Sequence, residues 1–163
     1  MKARFLSLIL GLTATAALLV GFSASSASAQ PDQCIAGYGG CYLENLWDGG
    51  LLVNGETHNE TLYGEPWPNA DGYSYVQKDG SWGWMRSNKD PSLCWNEVDK
   101  KVYLDSCVAP DAHEYFEFVP SGSYWLIKNY AEGLTLNLAA SGDGDNLYFT
   151  SGVNDTSLWY DIA

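Results

Sequence analysis

The chain has 163 residues, with 20 acidic against 8 basic side chains and a formal net charge of −12. Such a balance repels phosphate backbones and anionic lipid heads, so nucleic acid is not an expected partner, and acidity of this kind first serves to keep a protein soluble. The length allows one modest domain with its own core, not a catalytic domain joined to a binding module.

At the N-terminus, Lys2 and Arg4 precede an uncharged run from Phe5 to Val20 that is short for a membrane span. Ala27-Ser28-Ala29 supplies the small-x-small pattern of a processing site. Together they predict a signal peptide over residues 1–29, cleavage before Gln30, a secreted, extracellular product and no membrane span in the mature protein. All four cysteines, Cys34, Cys41, Cys94 and Cys107, follow that site, and none sits at Cys-x-x-Cys or Cys/His metal spacing. In an oxidising exterior they are expected to form two disulfides. Of the three connectivities that four cysteines permit, Cys34 with Cys41 and Cys94 with Cys107 closes the short local loops. Residues 30–39 then form an extension tied to the domain by Cys34 and Cys41. Closing the 13-residue span from Cys94 to Cys107 contributes about 3 kcal/mol in the chain-entropy account.

Further along, Gly, Asn/Asp and aromatic residues punctuate the chain every few positions, and no helical apolar period lasts beyond two turns. Tyr73-Ser74-Tyr75-Val76, Lys101-Val102-Tyr103-Leu104 and Tyr124-Trp125-Leu126-Ile127 read as short strands, being rich in β-branched and aromatic residues between turn signals. Three landmarks recur through this region. Asn54, Asn96 and Asn137 each follow a largely apolar stretch, Leu51-Leu52-Val53, Leu93-Cys94-Trp95 or Leu134-Thr135-Leu136, at spacings of 42 and 41. Leu62, Leu104 and Leu147 recur at 42 and 43, and Tyr75, Phe116 and Trp159 at 41 and 43. Gly80-Ser81-Trp82 returns 42 residues later as Gly122-Ser123-Tyr124. These echoes predict three units, at about 40–78, 79–120 and 121–163. A unit of about forty residues cannot bury its own apolar face, so three units must share one core. The expectation is an all-β, closed, barrel-like assembly with pseudo-threefold symmetry; a propeller has blades of similar length but uses at least about four.

The same residues resemble the ricin-type (ricin B-like) β-trefoil lectin domain family, whose repeat carries a Cys-Leu-Asp-like strand, a Gln-Leu-Trp-x-Cys strand and a terminal Gln-x-Trp. Repeat two matches best, with Leu93-Cys94-Trp95-Asn96, Tyr103-Leu104-Asp105-Ser106-Cys107 and Glu114-Tyr115-Phe116 in those three places. Its cysteine pair matches the intra-repeat disulfide of that family. Repeat three offers Leu134-Thr135-Leu136-Asn137, Asn146-Leu147-Tyr148 and Ser157-Leu158-Trp159; repeat one offers Leu52-Val53-Asn54, Thr61-Leu62-Tyr63 and Tyr73-Ser74-Tyr75. The resemblance spans residues 40–163. It implies a β-trefoil of three four-stranded repeats and a non-catalytic, lectin-like protein whose partner is a carbohydrate or glycoconjugate. No cofactor or metal is expected, and the protein is expected to be a monomer. The chain departs from the family in having Asn at 54, 96 and 137 where Asp is usual, and no intact Gln-x-Trp.

A sugar offers C–H groups on one face and a rim of hydroxyls, so its site needs an aromatic ring and fixed hydrogen-bonding groups. Where the family places its stacking Trp, this chain has Tyr63, Asp105 and Tyr148. Repeat two thus lacks a ring at that position and reads as a structural lobe. In repeat three the candidates are Asn137 and Asn146 as amide partners, Tyr148 as platform, and Asp155 or Thr156 from the last loop. In repeat one they are Asn54 and Thr61, Tyr63 as platform, and Asp71. The plainer reading stays beside each: a strand Tyr packs across strands, and an Asn after a strand forms turns.

Other features favour no catalysis. Asp143-Gly144-Asp145-Asn146 lacks the downstream Glu of a calcium loop and reads as a turn. His58 and His113 are solitary, and no Gly-x-Ser-x-Gly motif accompanies them. Glycoside hydrolysis needs two carboxylates about 5–10 Å apart, and no spacing among the acidic residues singles out a pair. The alternative function is a secreted protein-binding module or protease inhibitor on the same scaffold, presenting the proline-stiffened loop Gly64-Glu65-Pro66-Trp67-Pro68-Asn69. Asn59-Glu60-Thr61 and Asn154-Asp155-Thr156 are glycosylation sequons.

Overall fold

The computed structural model describes residues 41–47, 52–55, 57–66 and 72–162. The expected signal peptide 1–29, Cys34, Asp71 and the Trp67–Asn69 tip of the proline loop lie outside the described residues. Twelve strands form one antiparallel sheet: β1 (Tyr42–Asn45), β2 (Leu52–Asn54), β3 (Tyr63–Glu65), β4 (Tyr73–Asp79), β5 (Trp82–Ser87), β6 (Leu93–Val98), β7 (Lys101–Ser106), β8 (Phe116–Ser121), β9 (Tyr124–Asn129), β10 (Asn137–Ala139), β11 (Tyr148–Thr150) and β12 (Trp159–Ile162). Short 3-10 helices, Ala112–Glu114 and Asp155–Ser157, precede β8 and β12.

Six strands close a barrel. β4 pairs with β5, β5 with β8, β8 with β9, β9 with β12, and β12 with β1. The ring is completed where Cys41 and Tyr73 exchange backbone hydrogen bonds of 2.7 and 2.8 Å. The other six strands make three hairpins, β2–β3, β6–β7 and β10–β11. Each hairpin pairs with both others, through Thr61↔Tyr103, Tyr63↔Asn146 and Tyr148↔Lys101, so they form a cap that leaves no hairpin standing alone. Leu62, Leu104 and Leu147 are fully buried. Their amides all bond across the joints between hairpins: Leu62 N–H donates to Val102 O (2.7 Å), Leu104 N–H to Glu60 O (2.9 Å) and Leu147 N–H to Leu62 O (2.8 Å). This is a β-trefoil, with one apolar centre shared by all three repeats.

The register corrects two of the sequence alignments. The matching barrel bridges are Cys41↔Tyr73, Gly83↔Phe116 and Trp125↔Trp159, so the counterpart of Phe116 and Trp159 is Tyr73 and not Tyr75. Likewise Asn54 pairs with Tyr63 as Ala139 pairs with Tyr148, which puts Asn137 at the position of Leu52 rather than of Asn54. The physical reason is shared. A slip of two residues returns a strand side chain to the same face, and Tyr73 and Tyr75, like Asn137 and Ala139, are all buried. Gly83 shows what the extra tyrosine needs: a Cβ there would meet the Tyr75 ring and the Val76 carbonyl oxygen at 2.6 Å each.

A second threefold set went unread in the sequence. Asn45, Ser87 and Asn129, each 42 residues from the next, are buried polar residues at the ends of β1, β5 and β9. Asn45 donates to Thr156 O (2.8 Å) and accepts from Trp47 N–H (2.9 Å). Asn129 donates to His113 O (2.8 Å) and accepts from Ala131 N–H (2.9 Å). Ser87 Oγ accepts from Lys89 and Asp90 N–H, both at 3.2 Å. These side chains satisfy backbone groups that the irregular connections leave without ladder partners.

Candidate functional site

The β6–β7 hairpin is the most tightly specified segment of the cap. Asp99 and Lys100 form its two-residue turn with φ of 52° and 64°, the left-handed pair that matches the twist of a tight hairpin. Buried Glu97 accepts from Lys100 N–H at 2.6 Å. At the open end of the hairpin, Cys94 and Cys107 are disulfide-bonded, with Cα atoms 5.0 Å apart. Cys41 is buried in the core; its expected pairing with Cys34 falls outside the described residues.

A cleft of about 260 Å³ opens on this hairpin, lined by Asn59, Asn96, Val98, Tyr103 and Asp105. Asn59 comes from the loop of the neighbouring repeat, where its positive φ of 66° and its N–H bond to Leu104 O (2.7 Å) fix it. His58 from the same loop reaches Asp105 Oδ1 at 2.8 Å through Nε2, while its Nδ1 meets Asn59 Nδ2 at 2.8 Å. Asp105 Oδ1 also accepts from Ser106 N–H at 2.6 Å. Asn96 is held less firmly. Its Nδ2 lies 3.4 Å from Asp105 Oδ2, and its Oδ1 is buried with no hydrogen-bond partner. The cleft thus combines a half-buried phenol ring, an aliphatic side chain, two amides and a carboxylate.

The residues singled out from the sequence are placed differently. Asn54 is buried and its amide is committed within its own hairpin, to the Tyr63 hydroxyl (3.0 Å) and to Glu65 Oε2, while Oδ1 accepts from Gly55 N–H (2.9 Å). Thr61 and Tyr63 are half-buried and sit at the joints between hairpins. Asn137 is buried, with Oδ1 accepting from Lys128 Nζ (2.8 Å) and Nδ2 donating to Gly152 O (3.0 Å). Burial holds the Lys128 ammonium below its ordinary range. Asn146 is exposed and Tyr148 half-buried, and the turn before them is tied to repeat one by Gly144 N–H donating to Gly64 O (2.8 Å). Asp155 is exposed on the last 3-10 helix, and the Thr156 carbonyl accepts from Ala140 N–H (2.9 Å). Asn137 therefore faces structural partners rather than the other repeat-three candidates. Repeat two, read from the sequence as a structural lobe, holds the cleft instead. Its ring is Tyr103, two residues before the position where a ring was sought.

A carboxylate-rich corner adjoins the cleft. Glu114 is buried and accepts from Val108 N–H through both oxygens (3.0 and 2.9 Å), and burial pushes its carboxyl up to about 7. His113 Nδ1 lies 2.9 Å from Glu97 Oε2, and that hydrogen bond raises the imidazole above its ordinary value. Among the described residues, no cluster of three or more His, Cys, Asp or Glu could hold a metal, and no helix is long and apolar enough to cross a membrane.

No protein family and no curated protein matches the chain by sequence. Solved structures do match its fold. A designed threefold-symmetric protein, ThreeFoil, superposes with a TM-score of 0.66 at 13% identity, over 77% of this chain and 99% of that one. A GlcNAcα1-4Gal-releasing endo-β-galactosidase from Clostridium perfringens matches with a TM-score of 0.64 at 16% identity, over 75% of this chain but 31% of the enzyme. The present chain thus spans about a third of that protein. A Culex salivary protein of the cysteine- and tryptophan-rich family matches with a TM-score of 0.60 at 15% identity, over 76% of this chain and 92% of its own. At such identities the likeness is one of fold.

Proposed function

We propose that this is a secreted, non-catalytic, lectin-like protein that binds carbohydrate through the repeat-two cleft. The observation that carries the reading is the pairing of the Tyr103 ring with the polar side chains of Asn59, Asn96 and Asp105 in one concavity. A ring face can cover the C–H patch of a pyranose, while Asn59, Asn96 and Asp105 offer donors and acceptors to its hydroxyls. The volume of about 260 Å³ suits a terminal sugar better than an extended chain, since sites for larger ligands run to roughly 300–1,000 Å³. Supporting this are the resemblance of the repeats to the ricin-type lectin domain and a neighbour of the same fold named for releasing GlcNAcα1-4Gal.

A glycan array with the purified mature protein tests the proposal, and Tyr103→Ala should remove most of the signal. Silence across galactose-, xylose- and arabinose-terminated ligands would overturn it. Retained binding in Tyr103→Ala, lost instead in Tyr148→Ala, would move the site to repeat three.

A further inference from the structure

A second cleft, of about 270 Å³, lies where the β4–β5 turn, the segment leading into β8 and the residue after β9 meet. Asp79, Trp82, Pro110, Ala112, Tyr115 and Tyr130 line it. Trp82 and Tyr130 stand at an interplanar angle of 84° with centroids 5.2 Å apart, so two ring systems meet at a corner. Tyr115 adds a third ring, and its backbone is coupled to that of Tyr130 by a Tyr130 N–H bond to Tyr115 O at 2.8 Å. The tight β4–β5 turn sets Asp79 directly opposite Trp82.

The fold itself does not require these rings. Around the threefold, Tyr130 corresponds to Leu46 and Asn88, and Tyr115 to Gly72 and Leu158. The core leucines Leu62, Leu104 and Leu147 recur in every repeat, whereas this aromatic trio occurs once. Tyr130 is moreover 55% exposed, which an aromatic ring does not need for packing.

The chemistry of the lining differs from that of the repeat-two cleft. It has three aromatic rings and one carboxylate, but no amide and no basic side chain among the described lining residues. Sugar hydroxyls would find few oriented partners here. A cation without N–H donors needs none: it is attracted by ring faces, by a nearby carboxylate and by the field of a chain whose net charge is −12.

We propose that this cleft binds a small quaternary ammonium group, seated against Trp82, Tyr115 and Tyr130 with Asp79 as counter-charge. The site is independent of the carbohydrate reading. Titrating the mature protein with choline chloride at constant ionic strength, while following the tryptophan indole N–H signals by NMR, should give saturable binding in roughly the millimolar range. The uncharged isostere 3,3-dimethylbutan-1-ol should bind roughly tenfold or more weakly. Tyr130→Ala, at an exposed position that the fold can spare, should weaken choline binding roughly tenfold, and Asp79→Asn roughly two- to fivefold. Tyr103→Ala should leave it unchanged. Phosphatidylcholine vesicles distinguish a head group from a free cation, and binding to choline with or without vesicle binding supports the site. Equal affinity for the neutral isostere, no effect of Tyr130→Ala, or no saturation by roughly 50 mM choline overturns it.

Discussion

Asn96 and Asn137 lie on corresponding hairpins, and the contrast between them separates an amide that the fold uses fully from one that it does not. Asn137 is buried with both ends of its amide occupied, one by a lysine ammonium and the other by a backbone carbonyl. Asn96 has one long contact and a buried oxygen with no partner. The same side chain thus cements one repeat and leaves capacity in another. What an amide can give to a ligand is what its own fold has not taken, and that is a matter of register more than of residue type.

The sharpest way to break the comparison is to loosen repeat two alone. Replacing Cys94 and Cys107 together by serine should lower stability by about 3 kcal/mol, measured by urea unfolding. It should also abolish glycan binding, because β6 and β7 carry Asn96, Val98, Tyr103 and Asp105 of the cleft. Hydrogen exchange should then quicken in β6–β7 more than in β10–β11; uniform quickening would mean that the bond serves the whole trefoil and not this hairpin.

Repeat two should also differ in its response to pH. Glu114 is raised to about 7 by burial, despite its bonds from Val108, with Asp111 and Asp105 adding to the rise. His113 is raised by its bond to Glu97, and Glu132 by burial and then by Glu97. All three shifts are upward, so the folded state holds protons that the unfolded chain has released. For Glu114 the unfolded carboxyl ionises near its ordinary 4.5 and the folded one near 7, so stability falls as pH rises through that window by on the order of 3 kcal/mol. The His113 contribution likewise disappears as pH rises through its elevated value. Thermal unfolding should therefore show greatest stability on the mildly acidic side, and Glu114→Gln should flatten the decline between pH 4.5 and 7. An unchanged profile in that variant would assign the decline to His113 and Glu132.

A smaller effect is expected from the saturated amide. Asn137→Ala takes one partner each from the Lys128 ammonium and the Gly152 carbonyl, which keep Leu134 O and the Ser157 hydroxyl, and should cost about 1 kcal/mol in stability while glycan binding stays intact. Lost binding at unchanged stability would restore the repeat-three site.

The fold was legible because its requirements repeat: a buried leucine where each hairpin enters the cap forces Leu62, Leu104 and Leu147 to a common spacing. Alignment within strands was less legible, since a two-residue slip at Tyr73/Tyr75 or Asn137/Ala139 changes no facing. Asn45, Ser87 and Asn129 did carry an even spacing, but a serine among asparagines hid it. The cleft was hidden for another reason. His58 meets Asp105 across 47 residues of chain and Asn59 lines the same cleft, so the cleft belongs to the joint between two repeats and not to the unit that spacing reveals. The ring of repeat two is Tyr103, two residues before the slot that Tyr63 and Tyr148 fill, where the chain has Asp105.

The most selective test changes stability least. In Asn96→Ala the mutation removes a buried oxygen that has no partner, together with a single weak donor, so little native bonding is lost. Unfolding free energy should stay within about 0.5 kcal/mol of the parent, and relief of the unpaired oxygen offsets part of the lost packing. Glycan affinity should nevertheless fall roughly tenfold, the effect of deleting one well-placed hydrogen-bonding group. Asn96→Asp separates the two ways that group can act. If the amide serves as acceptor to a sugar hydroxyl, the carboxylate preserves or strengthens binding, since charge-assisted bonds are stronger. If it serves as donor, binding is lost, because a second carboxylate then faces Asp105 with no proton to share. Affinity unaltered in both variants would place the ligand elsewhere on the cap and remove the distinction between the two asparagines.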